Sequence, residues 1–154
     1  MMMEANKLLA LDRILELAVL VNEDMTQSLA RDGLTTSRTH LLWEVQQRGP
    51  STQRVLADAL KVSARTITGL VDGLVATGFV TREAHPTDRR AFLVTFTAKG
   101  AATMAAMDRD HHEFARILFE GMPDERFDGF VTGLDDVLAR LRAVIAQPSY
   151  EEET

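Results

Sequence analysis

Apolar residues recur at near-helical spacing from Leu8 to Leu29, at Leu8, Leu11, Leu15, Ala18, Val19, Met25 and Leu29. The spacing predicts a first helix, stopped by Asp32-Gly33. A second is predicted from Thr36 to Gln47, closed by Arg48-Gly49-Pro50. After Pro50 the elements shorten. Ser51 and Thr52 can cap a short helix with Val55, Leu56, Ala59 and Leu60 on one face. Lys61-Val62 is then a tight connection, and Ser63 caps a further helix. Its Ile67, Leu70, Val71 and Leu74 form the stripe that faces a core, and Gly78 ends it as a residue free to turn left-handed. There the period changes. Residues 79–84 and 91–96, rich in β-branched and aromatic side chains, read as paired strands around a polar loop, His85 to Arg90. Thr97 is a plausible N-cap for a long helix from Ala98 to about Phe119, broken by Gly121-Met122-Pro123. A last helix carries Phe127, Phe130, Val131, Leu134, Val137, Leu138, Leu141 and Ile145, closed by Gln147-Pro148.

Two short helices with a tight turn, followed by a hairpin, is the order of a winged helix-turn-helix. Ala57, Val62, Ile67 and Leu70 supply the small or apolar contacts that set the angle between the two helices. The second helix can then enter a major groove with its N-terminal residues against base edges. Its outward residues are Ser63, Ala64, Arg65, Thr66, Thr68 and Gly69. Arg65 can donate twice to guanine, and Thr66 and Thr68 can exchange hydrogen bonds and touch thymine methyls. Ala64 and Gly69 keep that face slim.

The chain has 154 residues, enough for a real core without metals or disulfides. Its net charge of -6 argues against a uniformly basic coat. The distribution is uneven, however. Residues 34–97 hold eight basic side chains against five acidic ones, a local +3 that leaves -9 elsewhere. A cationic face on an acidic scaffold is the expectation. The absence of cysteine excludes disulfides, cysteine-ligated zinc and thiolate chemistry in this chain. No apolar run reaches membrane-spanning length, and the opening MMMEANK lacks the order of a secretory signal. A soluble, cytoplasmic protein is expected, with no membrane partner.

The run LADALKVSARTITGLVDGLVATGFVTR from Leu56 to Arg82, the wing HPTDRR from His85 to Arg90 and the FTAKG from Phe96 to Gly100 together resemble the MarR family of bacterial transcriptional regulators. The likeness covers residues 34–100 closely, and the flanking helices agree in order and length. It implies a mainly α fold with a small β-hairpin wing: a winged helix-turn-helix with N- and C-terminal dimerisation helices. Residues 1–154 would be a single domain, with the DNA-binding lobe at 34–97, dimerisation helices at 5–31 and 98–146, and an acidic tail at 147–154. The resemblance implies a homodimer on a pseudo-palindromic site in double-stranded promoter DNA. Arg90 matches the wing arginine that reaches the minor groove, with Asp88 orienting it and Arg89 beside it. Ser51, Thr52 and Gln53 match positions that contact phosphate. Gly69 and Gly73 depart from the family pattern, where arginine or another polar residue is common, so fewer contacts are expected from the middle of this helix. Arg82 has two readings, a DNA contact or an ion pair with an acidic neighbour.

The long apolar stripe of the last helix exceeds what a small winged domain covers alone, and predicts that the first and last two helices intertwine with a second copy. His40 and Trp43 read first as core or surface residues. In the family, small aromatic acids bind near this helix, which makes the pair a candidate effector wall. His111-His112-Glu113 reads as a solvated helix face, because adjacent helical histidines point about 100° apart. No metal site, cofactor or catalytic motif is expected. The function implied is a dimeric, ligand-responsive repressor. The alternative is a winged-helix module that docks a protein and binds no DNA.

Overall fold

The computed structural model describes residues 2–146; Gln147-Pro148 and the acidic tail lie outside the described residues. Helix α1 spans Met2–Arg31 and ends at Gly33, whose φ of 71° admits the left-handed turn. Helix α2, Thr36–Arg48, is capped by the Thr35 hydroxyl, which accepts from the Arg38 amide. Helices α3, Gln53–Leu60, and α4, Ala64–Ala76, follow, capped by Thr52 and Ser63. Lys61 joins them in the left-handed region, at φ 54°, a conformation that costs roughly 1–2 kcal/mol for a side-chain-bearing residue. That cost is the local condition for the tight α3–α4 corner.

The hairpin strands β2, Val80–Ala84, and β3, Phe92–Phe96, pair antiparallel with Val80 opposite Phe96 and Arg82 opposite Val94. The sheet has a third strand that the hydrophobic pattern does not announce. Ser51–Thr52, labelled β1, pairs with β3 on its other edge, Ser51 opposite Val94. Of the two expected caps, only Thr52 serves. Ser51 is buried, and its hydroxyl donates to the Gly49 carbonyl at 2.9 Å.

The chain divides into two units, one reaching Asp108 and the other starting at Arg109. The division falls inside α5, Ala98–Phe119. In the first unit, Leu41, Leu42, Leu56, Ile67, Val71, Leu74, Phe79, Val80, Val94 and Met104 are fully buried in one core. Burying each such side chain stabilises by roughly 1.5–3 kcal/mol. In the second unit, helix α6, Asp124–Ala146, has no buried residue. Its Phe127 and Phe130 meet Phe119 of α5, with ring centroids 5.1 and 5.9 Å apart.

The junction from wing to α5 brings two backbone segments close together. The Thr97 hydroxyl donates to the Gly78 carbonyl and accepts from the Gly100 amide at 3.0 Å, while the Thr97 amide donates to the Phe79 carbonyl at 3.1 Å. Gly100 lies so close that a Cβ there would overlap the Phe79 carbonyl oxygen. Gly100→Ala is therefore expected to lower stability by about 3 kcal/mol, measured by urea unfolding. Gly69→Ala, in the interior of α4 where a Cβ meets nothing, is the control and should raise stability by about 0.5–1 kcal/mol.

Candidate nucleic-acid interface

Helix α4 separates two sets of side chains by its period. Ile67, Val71 and Leu74 are buried, whereas Ser63, Ala64, Arg65, Thr66, Thr68 and Gly69 are exposed. Much of the hydroxyl chemistry on the outer face is already engaged. Ser63 Oγ accepts from the Thr66 amide at 3.1 Å and lies 2.9 Å from the Thr66 hydroxyl. Thr68 Oγ1 donates to the Ala64 carbonyl at 2.8 Å and accepts from Gln53 Nε2 at 3.1 Å. Arg65 is the long cation left over, with no ion pair among the described residues.

Gly69 opens onto empty space, as a slim face requires. Gly73 has a different reason to be small. The Arg38 guanidinium, from α2, lies over it where a Cβ would stand. A cation thus covers that stretch of α4, delivered by another helix.

The wing loop is built by its own polar side chains. His85 Nδ1 accepts from the amides of Thr87 and Asp88 at 3.2 and 3.1 Å. Asp88 Oδ1 accepts from the Arg90 backbone amide at 2.9 Å, so the carboxylate orients the Arg90 main chain rather than its guanidinium. Arg89 and Arg90 are exposed and have no ion pair among the described residues.

Between the wing root and the start of α3 lies an open cleft of about 290 Å³, lined by Thr52, Gln53, Arg54, Arg90, Ala91 and Phe92. Thr52 caps α3 there, its hydroxyl accepting from the Val55 amide. Two guanidinium groups beside a helix N-terminus suit a phosphate. Arg54 was not among the expected contacts; its signal was its place in the first turn after the Thr52 cap.

Arg82 makes an ion pair with an acidic neighbour in the free chain. Its Nε and Nη2 donate to Gln53 Oε1 at 3.2 and 3.1 Å, and Nη2 also pairs with Asp72 Oδ1 at 2.5 Å. Thus Gln53 meets both Thr68 and Arg82, Arg90 and Thr52 share the cleft with Gln53, and Ser51 turns inward. His40 and Trp43 sit apart on α2, both exposed, with ring centroids 6.0 Å apart.

On α5, Glu113 is occupied by Arg116, which donates to both carboxylate oxygens at 2.6 and 2.9 Å. That contact holds Glu113 below the usual carboxylate range and raises Arg116. Among the described residues, no group of three or more histidines and carboxylates is placed to hold a metal ion. No helix there is long and apolar enough to cross a membrane.

The tri-helical core with its caps, three-stranded sheet and projecting loop defines a winged helix-turn-helix protein. The MarR family model matches residues 34–92, the stretch from the start of α2 into the wing. It is 37% identical over 86 residues to the HTH-type transcriptional repressor YetL of Bacillus subtilis, a match covering 56% of this chain and 52% of that one. The chain spans about half the length of the curated relatives it matches. A disulfide-formed AbfR shares the fold with a TM-score of 0.74 at 22% identity, covering 95% of this chain and 94% of the other. The S. aureus MepR–DNA complex gives 0.72 at 20%, covering 82% and 95%.

His85→Ala should speed hydrogen exchange at the Thr87 and Asp88 amides while barely moving Tm, because the loop is exposed and outside the core. Exchange unchanged at both amides would mean that the ring does not hold the loop.

Proposed function

We propose that the chain is a sequence-specific transcriptional regulator that binds double-stranded promoter DNA as a homodimer on a pseudo-palindromic site, acting as a repressor. The observation that carries this reading is the continuity of the outward face. Arg65 stands on α4 beside Thr68, Thr68 meets Gln53, and Gln53 lines the cleft shared by Arg54 and Arg90. Side chains for a groove and cations for a backbone therefore adjoin. The relative named as a repressor and the neighbour solved with DNA support the same reading.

The second copy is argued from the outer helices. From Asn6 to Leu20, α1 has no buried residue, and Leu8, Leu11, Leu15 and Val19 are exposed. Helix α6 exposes Leu141, Val144 and Ile145 in turn. Apolar helices of this kind call for a covering partner, and self-association supplies one. Two recognition helices must then sit about one helical turn of DNA apart. A ligand that binds another spacing more tightly would release the DNA. His40 and Trp43 are the proposed wall for a small aromatic effector.

On a duplex enriched from random DNA, Arg65→Ala should cost about 1–3 kcal/mol of base discrimination, read by competition binding. Arg90→Ala should weaken binding to all sequences and reduce the salt slope by about one. If neither variant changes retention, the protein-docking module replaces this reading. Sedimentation should show a dimer at micromolar concentration, and Leu15→Glu combined with Ile145→Glu should shift it to monomer. A wild-type monomer would refute the dimer.

A further inference from the structure

We propose that Arg82 and Asp72 are positioning residues that lock the wing strand to the recognition helix through Gln53. The inference rests on the DNA-binding reading above and assigns the two residues a role other than contact. Three elements converge on the Gln53 side chain, which opens α3. Its carbonyl oxygen accepts twice from Arg82 on β2, and its amide nitrogen donates to Thr68 on α4. Asp72, one turn further along α4, takes the Arg82 Nη2. Both ends of Gln53 are thereby used, so rotating its amide would break the contacts on each side.

The charge balance separates this role from phosphate binding. Arg82 and Asp72 cancel one another, so the pair adds no net cation to the face. Their side chains remain 31% and 58% exposed, and an exposed ion pair adds little to folding stability. What the pair controls is geometry. Arg82 lies two residues before Ala84, where β2 runs into the loop bearing Arg89 and Arg90. Holding Arg82 against α4 fixes how far the wing tip stands from Arg65. Only a duplex able to meet both at that distance receives the full set of contacts, so the clamp acts on the preference between duplexes.

The test compares Arg82→Gln, Arg82→Lys, Asp72→Ala and the double variant Asp72→Ala/Arg82→Gln on a duplex enriched by the wild type and on its scrambled counterpart. Each single variant should lower the enriched-to-scrambled affinity ratio about fivefold, and the double should be no worse than the singles. The salt slope of Arg82→Gln should match the wild type, and lysine should not rescue, since it lacks the fork that holds Gln53. A slope reduced by about one, with equal losses on both duplexes, would make Arg82 a phosphate contact and overturn the proposal. So would rescue by lysine, or a higher ratio in Asp72→Ala. A readout on the free protein keeps the clamp separate from DNA binding. The NMR signals of the Arg82 Nε–H, the Gln53 side-chain amide and the amides of residues 85–90 should all shift in Asp72→Ala. Unchanged signals would overturn the clamp. A wild type that prefers neither duplex would overturn the function proposed above, and the spectra would still decide the clamp.

Discussion

Helix α4 has one face committed to the core, and everything proposed for its other face depends on that commitment. Ile67, Val71 and Leu74 are anchored among Leu41, Leu42, Leu56 and Phe79. The helix can neither rotate nor slide without exposing them, at a cost of several kcal/mol. Its outer residues are consequently presented at one angle. The corner at Lys61 and the Thr52 and Ser63 caps bring α3 alongside at a fixed distance. The wing follows the same logic, since β3 is held on both edges and Gly100 admits the Phe79 carbonyl at its base.

On this frame the cations divide by environment rather than by number. Arg48 pairs with Glu44 and Arg82 with Asp72, each neutralised locally. Arg54, Arg65, Arg89 and Arg90 are exposed around α3, α4 and the wing. A chain of net charge -6 can therefore carry a cationic face, because only unpaired charges attract a polyanion strongly at short range. The hydroxyls divide likewise. Ser63, Thr66 and Thr68 have their local hydrogen bonds, which hold their side chains in defined rotamers, whereas Arg65 has no ion pair among the described residues.

The outer helices obey a different constraint. Met104 is the last fully buried residue before the chain divides inside α5. Beyond it, the aromatic contacts of Phe119 with Phe127 and Phe130 organise the second unit, and α6 retains an apolar surface. Exposed apolar surface of that extent is the observation on which the proposed second copy rests.

The elements of the lobe and their order are legible in the residue pattern alone. Caps such as Thr52 and Ser63, the stripe at Ile67, Val71 and Leu74, and the turn glycines act within a few residues, so their patterns are local and readable. Strand β1 escaped because two residues have no period, and Ser51 looked like a cap until β3 covered it. The helix-turn-helix pattern placed Arg65 on an outward face and the resemblance placed Arg89 and Arg90 on the wing, and the structure shows all three as exposed. The sequence left Arg82 with two readings, because its partners Gln53 and Asp72 lie 29 and 10 residues away. The same holds for Arg38 above Gly73 and for Phe79 against Gly100. Only tertiary structure decided which charges cancel, which glycines are filled from elsewhere and which hydroxyls are engaged, because those outcomes depend on distances between segments that sequence separation does not encode.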